Sequence, residues 1–223
     1  MKENRAREKN KTIVLLVGIG LAFLFWYLVF GAGFSIFWLK ISVASLVLAI
    51  YGTISLAAVE RDRSGFALEI KRYFTFRTRH ILIGVGSAVF LYAVFLFGNW
   101  FLTSLFPSAE AHISDVYATG GEIPLVVIGL LLFFVTSPAE ELFWRGCIQR
   151  LFTEKSSPWW GLLLATLFYT LVHVWTLNPV LLLAAFIAGA VWGIIFMIER
   201  SLIPAIISHA LWTVAIFVVL PVG

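Results

Sequence analysis

Between Thr12 and Val59 the chain carries one charge, Lys40. A helix that long, at 1.5 Å per residue, would cross a hydrocarbon layer of about 30 Å roughly twice. Gly31-Ala32-Gly33 supplies the natural break, so two spans are expected, near residues 12–30 and 35–58. Apolar runs of the same kind recur near 81–106, 123–151, 159–175, 179–198 and 202–219. With 61% apolar and 13% charged residues, the composition excludes an ordinary soluble domain. The expected fold class is an all-α, polytopic integral membrane protein with about seven transmembrane helices. The spans of residues 1–119, with a basic loop, precede a helical core over 120–223, one membrane domain overall.

Charge placement sets the expected orientation. Basic residues gather at the N-terminus (Lys2, Arg5, Arg7, Lys9, Lys11), between residues 60 and 80 (Arg61, Arg63, Lys71, Arg72, Arg77, Arg79), over Arg150–Lys155, and at Arg200. Seven alternating spans put all four groups on one side. The positive-inside rule then puts the N-terminus in the cytoplasm and the C-terminus outside. Residues 107–122 carry Glu110, Asp115 and Glu122 but no Lys or Arg, and are read as an outer loop. His112 falls in that loop and His80 in the basic one. In the basic loop Phe66, Leu68, Ile70, Phe74 and Phe76 interleave with the charges, the pattern of an interfacial amphipathic helix. Lys40 can snorkel to the interface. The basic start followed by an apolar run imitates a signal peptide, but the run exceeds a usual signal core, so an uncleaved first span is expected. No basic patch stands on a soluble fold, which excludes a nucleic-acid surface. Cys147 is the only cysteine and excludes an internal disulfide or a multi-cysteine metal site. It reads as a packing residue.

The chemistry concentrates in Ser137-Pro138-Ala139-Glu140-Glu141-Leu142-Phe143-Trp144-Arg145-Gly146, inside the fourth span. Charges at such depth cost several kcal/mol by most scales and mark functional sites. Glu141 and Arg145 are four apart, on one helical face, and can pair. Glu140 lies about 100° round the helix, without that cation. An unpaired carboxylate suits a general base or a proton carrier. Pro138 removes the N–H that would bond the Phe134 carbonyl. The helix then either kinks, or restarts with Ser137 as N-cap and Glu140 in a capping box. The fifth span holds Tyr169 and His173, four apart; the seventh holds His209 and Thr213, also four apart. Counting along the spans places Glu140, His173 and His209 at similar depth, somewhat toward the cytoplasmic side. In the sixth span Ala185, Gly189 and Gly193 repeat every four residues, a close-packing face expected to serve internally. Trp159, Trp160 and Trp175 read as interface anchors.

These three motifs together resemble the CAAX protease and bacteriocin-processing family of intramembrane endopeptidases, which includes the type II CAAX prenyl endopeptidase. The resemblance covers about residues 120–220. It implies that Glu140 is the water-activating base, that His173 helps hold the water, that Glu141 and Arg145 support them, and that His209 stabilises the oxyanion. Where the third motif of the family has Asn or Asp, this chain has Thr213; where the second has Phe, it has Tyr169. A Thr hydroxyl still donates one hydrogen bond.

The family has been described both as metal-dependent and as glutamate-type. One Glu and two His (Glu140, His173, His209) are enough for zinc with an open position. No HExxH helix is present. Water activated by Glu and His, with no cofactor, is the expectation. The expected partners are membrane lipids and a lipidated or membrane-inserted peptide substrate, the chain acting as a monomer in a prokaryotic plasma membrane. The rival reading is a non-enzymatic membrane protein: a transporter, or an inactive immunity or scaffold factor. Intramembrane Glu and His also build proton relays.

Overall fold

A computed structural model describes residues 2–31, 36–60, 63–118 and 123–222, and all of its described regular elements are helices. They are α1 (Lys2–Phe30), α2 (Phe37–Val59), α3 (Arg63–Tyr73), α4 (Thr78–Leu105), α5 (Ser108–Tyr117), α6 (Leu125–Lys155), α7 (Pro158–Thr176), α8 (Pro179–Glu199) and α9 (Ile203–Val219). Six of these are long and apolar enough to span a membrane: α1, α2, α4, α6, α7 and α8. The seventh expected span, α9, is shorter. At 1.5 Å per residue it falls a little short of a hydrocarbon layer of about 30 Å. It compensates by burial, since Pro204, Ala205, Ser208, His209, Ala210, Trp212 and Thr213 all face protein. The expected break at Ala32-Gly33, Arg61, Glu122 and the 119/120 boundary lie outside the described residues.

The central element is α6. From Thr136 to Leu151 nearly every residue is buried, whatever direction it faces. A helix enclosed all round belongs to the middle of a bundle. α2 lies along it, joined by a hydroxyl pair between Ser42 and Thr136 at 2.8 Å. α9 packs against both α6 and α4, and α8 against α7. Residues of α1 and α2 share one core with Phe143, Trp144 and Ile148, so helices from both sides of the 119/120 boundary pack together. Cys147 is buried in the same core.

Glycines allow the closest approaches. A methyl group at Gly84 of α4 would lie 2.6 Å from Ile207 Cγ2 and 3.0 Å from the Pro204 carbonyl oxygen of α9. In α8, Gly189 and Gly193 meet Tyr169 and Leu162 of α7. Their carbonyls also accept from Arg145 Nη2 (2.8 Å) and Gln149 Nε2 (2.9 Å) of α6. Small residues every four positions thus serve internal packing, with two polar side chains at the same spacing docked onto them.

The basic segments meet at one end. Glu60 pairs with Arg7, with Lys11 at 3.1 Å and with Arg150 at 3.2 Å. Glu154 takes Lys11 at 2.5 Å and Arg150 at 2.7 Å. Arg79 pairs with Glu199 at 2.7 Å, beside Arg200. The basic segment does form a helix, α3, with Leu68 exposed on it and Phe74 and Phe76 exposed just beyond it. The side chain of Phe66 is outside the described residues. At the other end the expected acidic loop is largely the helix α5, fastened by Asn178 Nδ2 donating to the His112 carbonyl at 2.7 Å. His80 and His112 are therefore helical residues, and His80 is fully buried. Lys40 donates to the Val29 carbonyl at 3.1 Å, near the end of α1.

Gly84→Ala is expected to destabilise the fold by about 1–3 kcal/mol, because Ile207 Cβ and the Pro204 carbonyl cannot swing aside. Thermal unfolding in a mild detergent, compared with the neighbouring open position Gly86→Ala, measures it.

Candidate active site

Pro138 interrupts α6 in an unexpected way. The backbone stays right-handed helical at Thr136 (φ −64°, ψ −56°) and Ser137 (φ −62°, ψ −46°). The turn Leu132–Thr136 widens to a π-helix, with Ser137 N donating to Leu132 O, five residues back. The wide turn absorbs the hydrogen bond Pro138 cannot make, so the helix continues and does not restart. Ser137 is no N-cap, and the capping-box alternative for Glu140 fails: no side chain caps this turn. The Ser137 hydroxyl instead pairs with Thr213 at 3.2 Å. A second π turn, Trp144–Gln149, contains Arg145. The two glutamates sit on the α-helical turns between, Ser137–Phe143. Such wide turns concentrate at functional sites.

Glu141 and Arg145 pair at 2.9 Å, as their spacing implies. The guanidinium lies over the rings of Tyr169 (5.0 Å) and Trp192 (5.5 Å). The same carboxylate oxygen, Glu141 Oε1, takes His209 Nδ1 at 2.8 Å. A carboxylate only accepts when ionised, so His209 Nδ1 carries the proton of that bond. The imidazole stacks on Trp192 at 3.7 Å between centroids, and Trp192 Nε1 donates to Ser208 Oγ at 3.2 Å. Helices α6, α8 and α9 are locked together by this cluster.

Glu140 faces another way. Its Oε2 accepts from the Tyr169 hydroxyl at 3.1 Å and its Oε1 from Ser45 Oγ at 3.4 Å. Among the described residues no cation pairs with Glu140 directly. His173 stands at the end of α7, on the 3₁₀ turn Val172–Thr176. Its Nδ1 lies 2.8 Å from the Tyr169 carbonyl, which can only accept, so the proton is on Nδ1. Its Nε2 accepts from Trp26 Nε1 at 3.2 Å.

Glu140, Tyr169, His173, His209 and Thr213 all line one cavity of about 410 Å³. Glu141 and Arg145 stand behind its wall. The Thr213 hydroxyl bonds back to the His209 carbonyl at 2.8 Å and the Ala210 carbonyl at 3.2 Å, so its proton serves its own helix. The cavity walls also include His112 and Asp115 of α5 and Asn178 at the start of α8. These belong to the end opposite the ion-paired basic segments, so the cavity extends toward that end. The reason is the position of His173: it ends α7, a full helix away from Pro158. Trp26 and Ser45 contact the site from α1 and α2, yet neither carries a motif that distinguishes it from ordinary apolar-span residues. Trp175 also has an internal role, donating to the Phe23 carbonyl at 3.1 Å, whereas Trp159 and Trp160 are exposed.

Among the described residues no group of three or more His, Cys, Asp or Glu side chains is placed to hold one metal ion. His209 Nδ1 is committed to Glu141 and His173 Nε2 to Trp26.

Residues 122–215 match the model of a family described as type II CAAX prenyl endopeptidase Rce1-like. The resemblance carried by the three motifs therefore holds over the segment that bears them. No curated protein and no solved structure matches the chain.

Removing Arg145 strands a carboxylate that is wholly enclosed (0% exposed). Arg145→Ala is expected to cost about 3–5 kcal/mol. Arg145→Lys restores charge only, losing the bond to Gly189 and the stacking, and recovers part of the loss. Unfolding midpoints of the three proteins in one detergent measure it.

Proposed function

We propose that this chain is an intramembrane endopeptidase that hydrolyses a peptide bond in a lipidated or membrane-inserted substrate. The observation that carries the reading is the division of labour between adjacent glutamates. Glu141 is consumed by Arg145 and His209, while Glu140 faces a cavity with only hydroxyl donors on it. The match to a prenyl endopeptidase family supports peptide hydrolysis and makes a prenylated C-terminal peptide the first substrate to try.

In this mechanism water enters beside Glu140 and competes with the Trp26 indole for His173 Nε2. Glu140 takes the proton as the water attacks the scissile carbonyl. The oxyanion is met by His209 as the imidazolium, whose Nδ1–H stays on Glu141 while its Nε2–H donates. Preorganised donors of this kind contribute about 3–4 kcal/mol to barrier lowering. Thr213 gives a second hydrogen bond only after turning away from the His209 carbonyl. Glu140 then returns its proton to the leaving amine. The Tyr169 and Ser45 hydroxyls hold the carboxylate in place between these steps. No metal is used.

The positive-inside rule gives the compartment. The basic end, with its ion pairs between α1, α2 and α6, faces the cytoplasm. The cavity then opens on the outer side, between α5 and the start of α8, and the scissile bond reaches it from there.

Glu140→Gln is expected to lower cleavage by about 10²–10⁴-fold, the usual span for a general base. The fold should persist, because the Glu141 cluster is untouched. Mass spectrometry of protein termini in membranes, native chain against variant, reads this; undiminished cleavage by the variant sinks the mechanism. For the orientation, Ser114→Cys on the exposed face of α5 should react with a membrane-impermeant maleimide in intact cells. Labelling only after permeabilisation would reverse the assigned sidedness.

A further inference from the structure

At the basic end, away from the catalytic cavity, a hollow of about 160 Å³ opens between the end of α3, the first turn of α4 and the end of α8. Its lining includes Arg72, Arg77, Arg79 and Arg200 against one carboxylate, Glu199. Glu199 is engaged by Arg79 at 2.7 Å. Three exposed guanidinium groups remain around the rim, in a pocket whose net charge is +3.

Two further features point into it. The first turn of α4, a 28-residue helix, has no side-chain cap: Arg77 occupies the N-cap position without capping. Free N–H groups and the positive end of the helix dipole favour an anion there. The second is His80. Its side chain lines the hollow yet is almost wholly enclosed (1% exposed), and neither ring nitrogen has a hydrogen bond. Glu199 Oε2 stands 3.5 Å from Nε2, outside bonding geometry. Apart from that carboxylate, the buried imidazole makes no hydrogen bond, which is rare and calls for an explanation.

The depth identifies the chemistry. The hollow lies where two spans end, flanked by the exposed rings of Phe74 and Phe76. Basic pockets at this level receive phosphate headgroups, and arginine forks suit phosphate oxygens. We propose that this hollow binds a phosphate group, carried either by an anionic phospholipid of the adjacent leaflet or by a free phosphate in solution. His80 and the α4 N-terminus meet its oxygens, and Arg72, Arg77 and Arg200 neutralise it. The site is independent of the peptidase reading.

The experiment uses the full chain in a neutral detergent, with thermal unfolding and native mass spectrometry as readouts. Phosphatidylglycerol is expected to be retained at least about tenfold better than phosphatidylcholine. Arg77→Gln with Arg200→Gln, both exposed, should remove that preference. Arg5→Gln with Lys9→Gln, an exposed basic pair at the same end, should leave it intact. Stabilisation by inorganic phosphate, lost in the Arg77/Arg200 variant and without lipid preference, assigns the site to the free ion. Equal retention of both lipids with no effect of phosphate overturns the proposal. So does an equal loss in the Arg5/Lys9 control.

Discussion

Enclosing the Glu141 carboxylate completely is the act on which the rest of the bundle depends. An isolated buried charge is prohibitive, and a pair survives only with good geometry and added hydrogen bonds. Arg145 supplies the charge from the same helix, and His209 supplies a donor from α9. Gly189 offers Arg145 its carbonyl, at a position where a methyl group would lie 2.8 Å from Tyr169 Cδ1. The histidine and the glycine carbonyl each fix one helix, α9 and α8, against α6. The second glutamate oxygen, Oε2, has no hydrogen-bond partner, so the cluster is not fully satisfied even so. A chain that tolerates this cost gains a histidine held at a set angle over a cavity.

Much of this was legible in the residues. The apolar runs place the spans within a few positions, and the i,i+4 spacing of Glu141 and Arg145 announces their bond. The same spacing brings His173 and Tyr169, and His209 and Thr213, to shared faces. What periodicity could not show is the pair of π turns in α6. Each adds a residue to a turn and rotates everything beyond it by roughly 100°. Pro138 signals a disturbance there without saying whether the helix breaks, kinks or widens. α5 escaped notice because its ten residues, too short to span and carrying Glu110 and Asp115, resemble a loop between two spans. Trp26 and Ser45 were invisible as site residues because nothing local marks them; only the packing of α1 and α2 brings them to His173 and Glu140.

Tyr169 joins the two halves of the site. Its hydroxyl holds Glu140, its carbonyl orients His173, and its ring lies under Arg145. One residue thereby contacts the proposed base, its partner and the supporting cation. A Phe here would keep the ring and the carbonyl and lose only the hydroxyl, which makes Tyr169 a local elaboration of a shared frame.

The family match begins at residue 122, yet Glu140 leans on Ser45 and His173 on Trp26, both far upstream of it. Recognisable ancestry and physical completeness therefore have different borders in this molecule. The matched segment is not a transplantable cassette. Grafted behind two unrelated helices it would carry every signature residue and still lack the indole that caps one histidine and the hydroxyl that steadies the glutamate. Divergence in the first two helices thus becomes a way to retune the centre without altering any of its motifs.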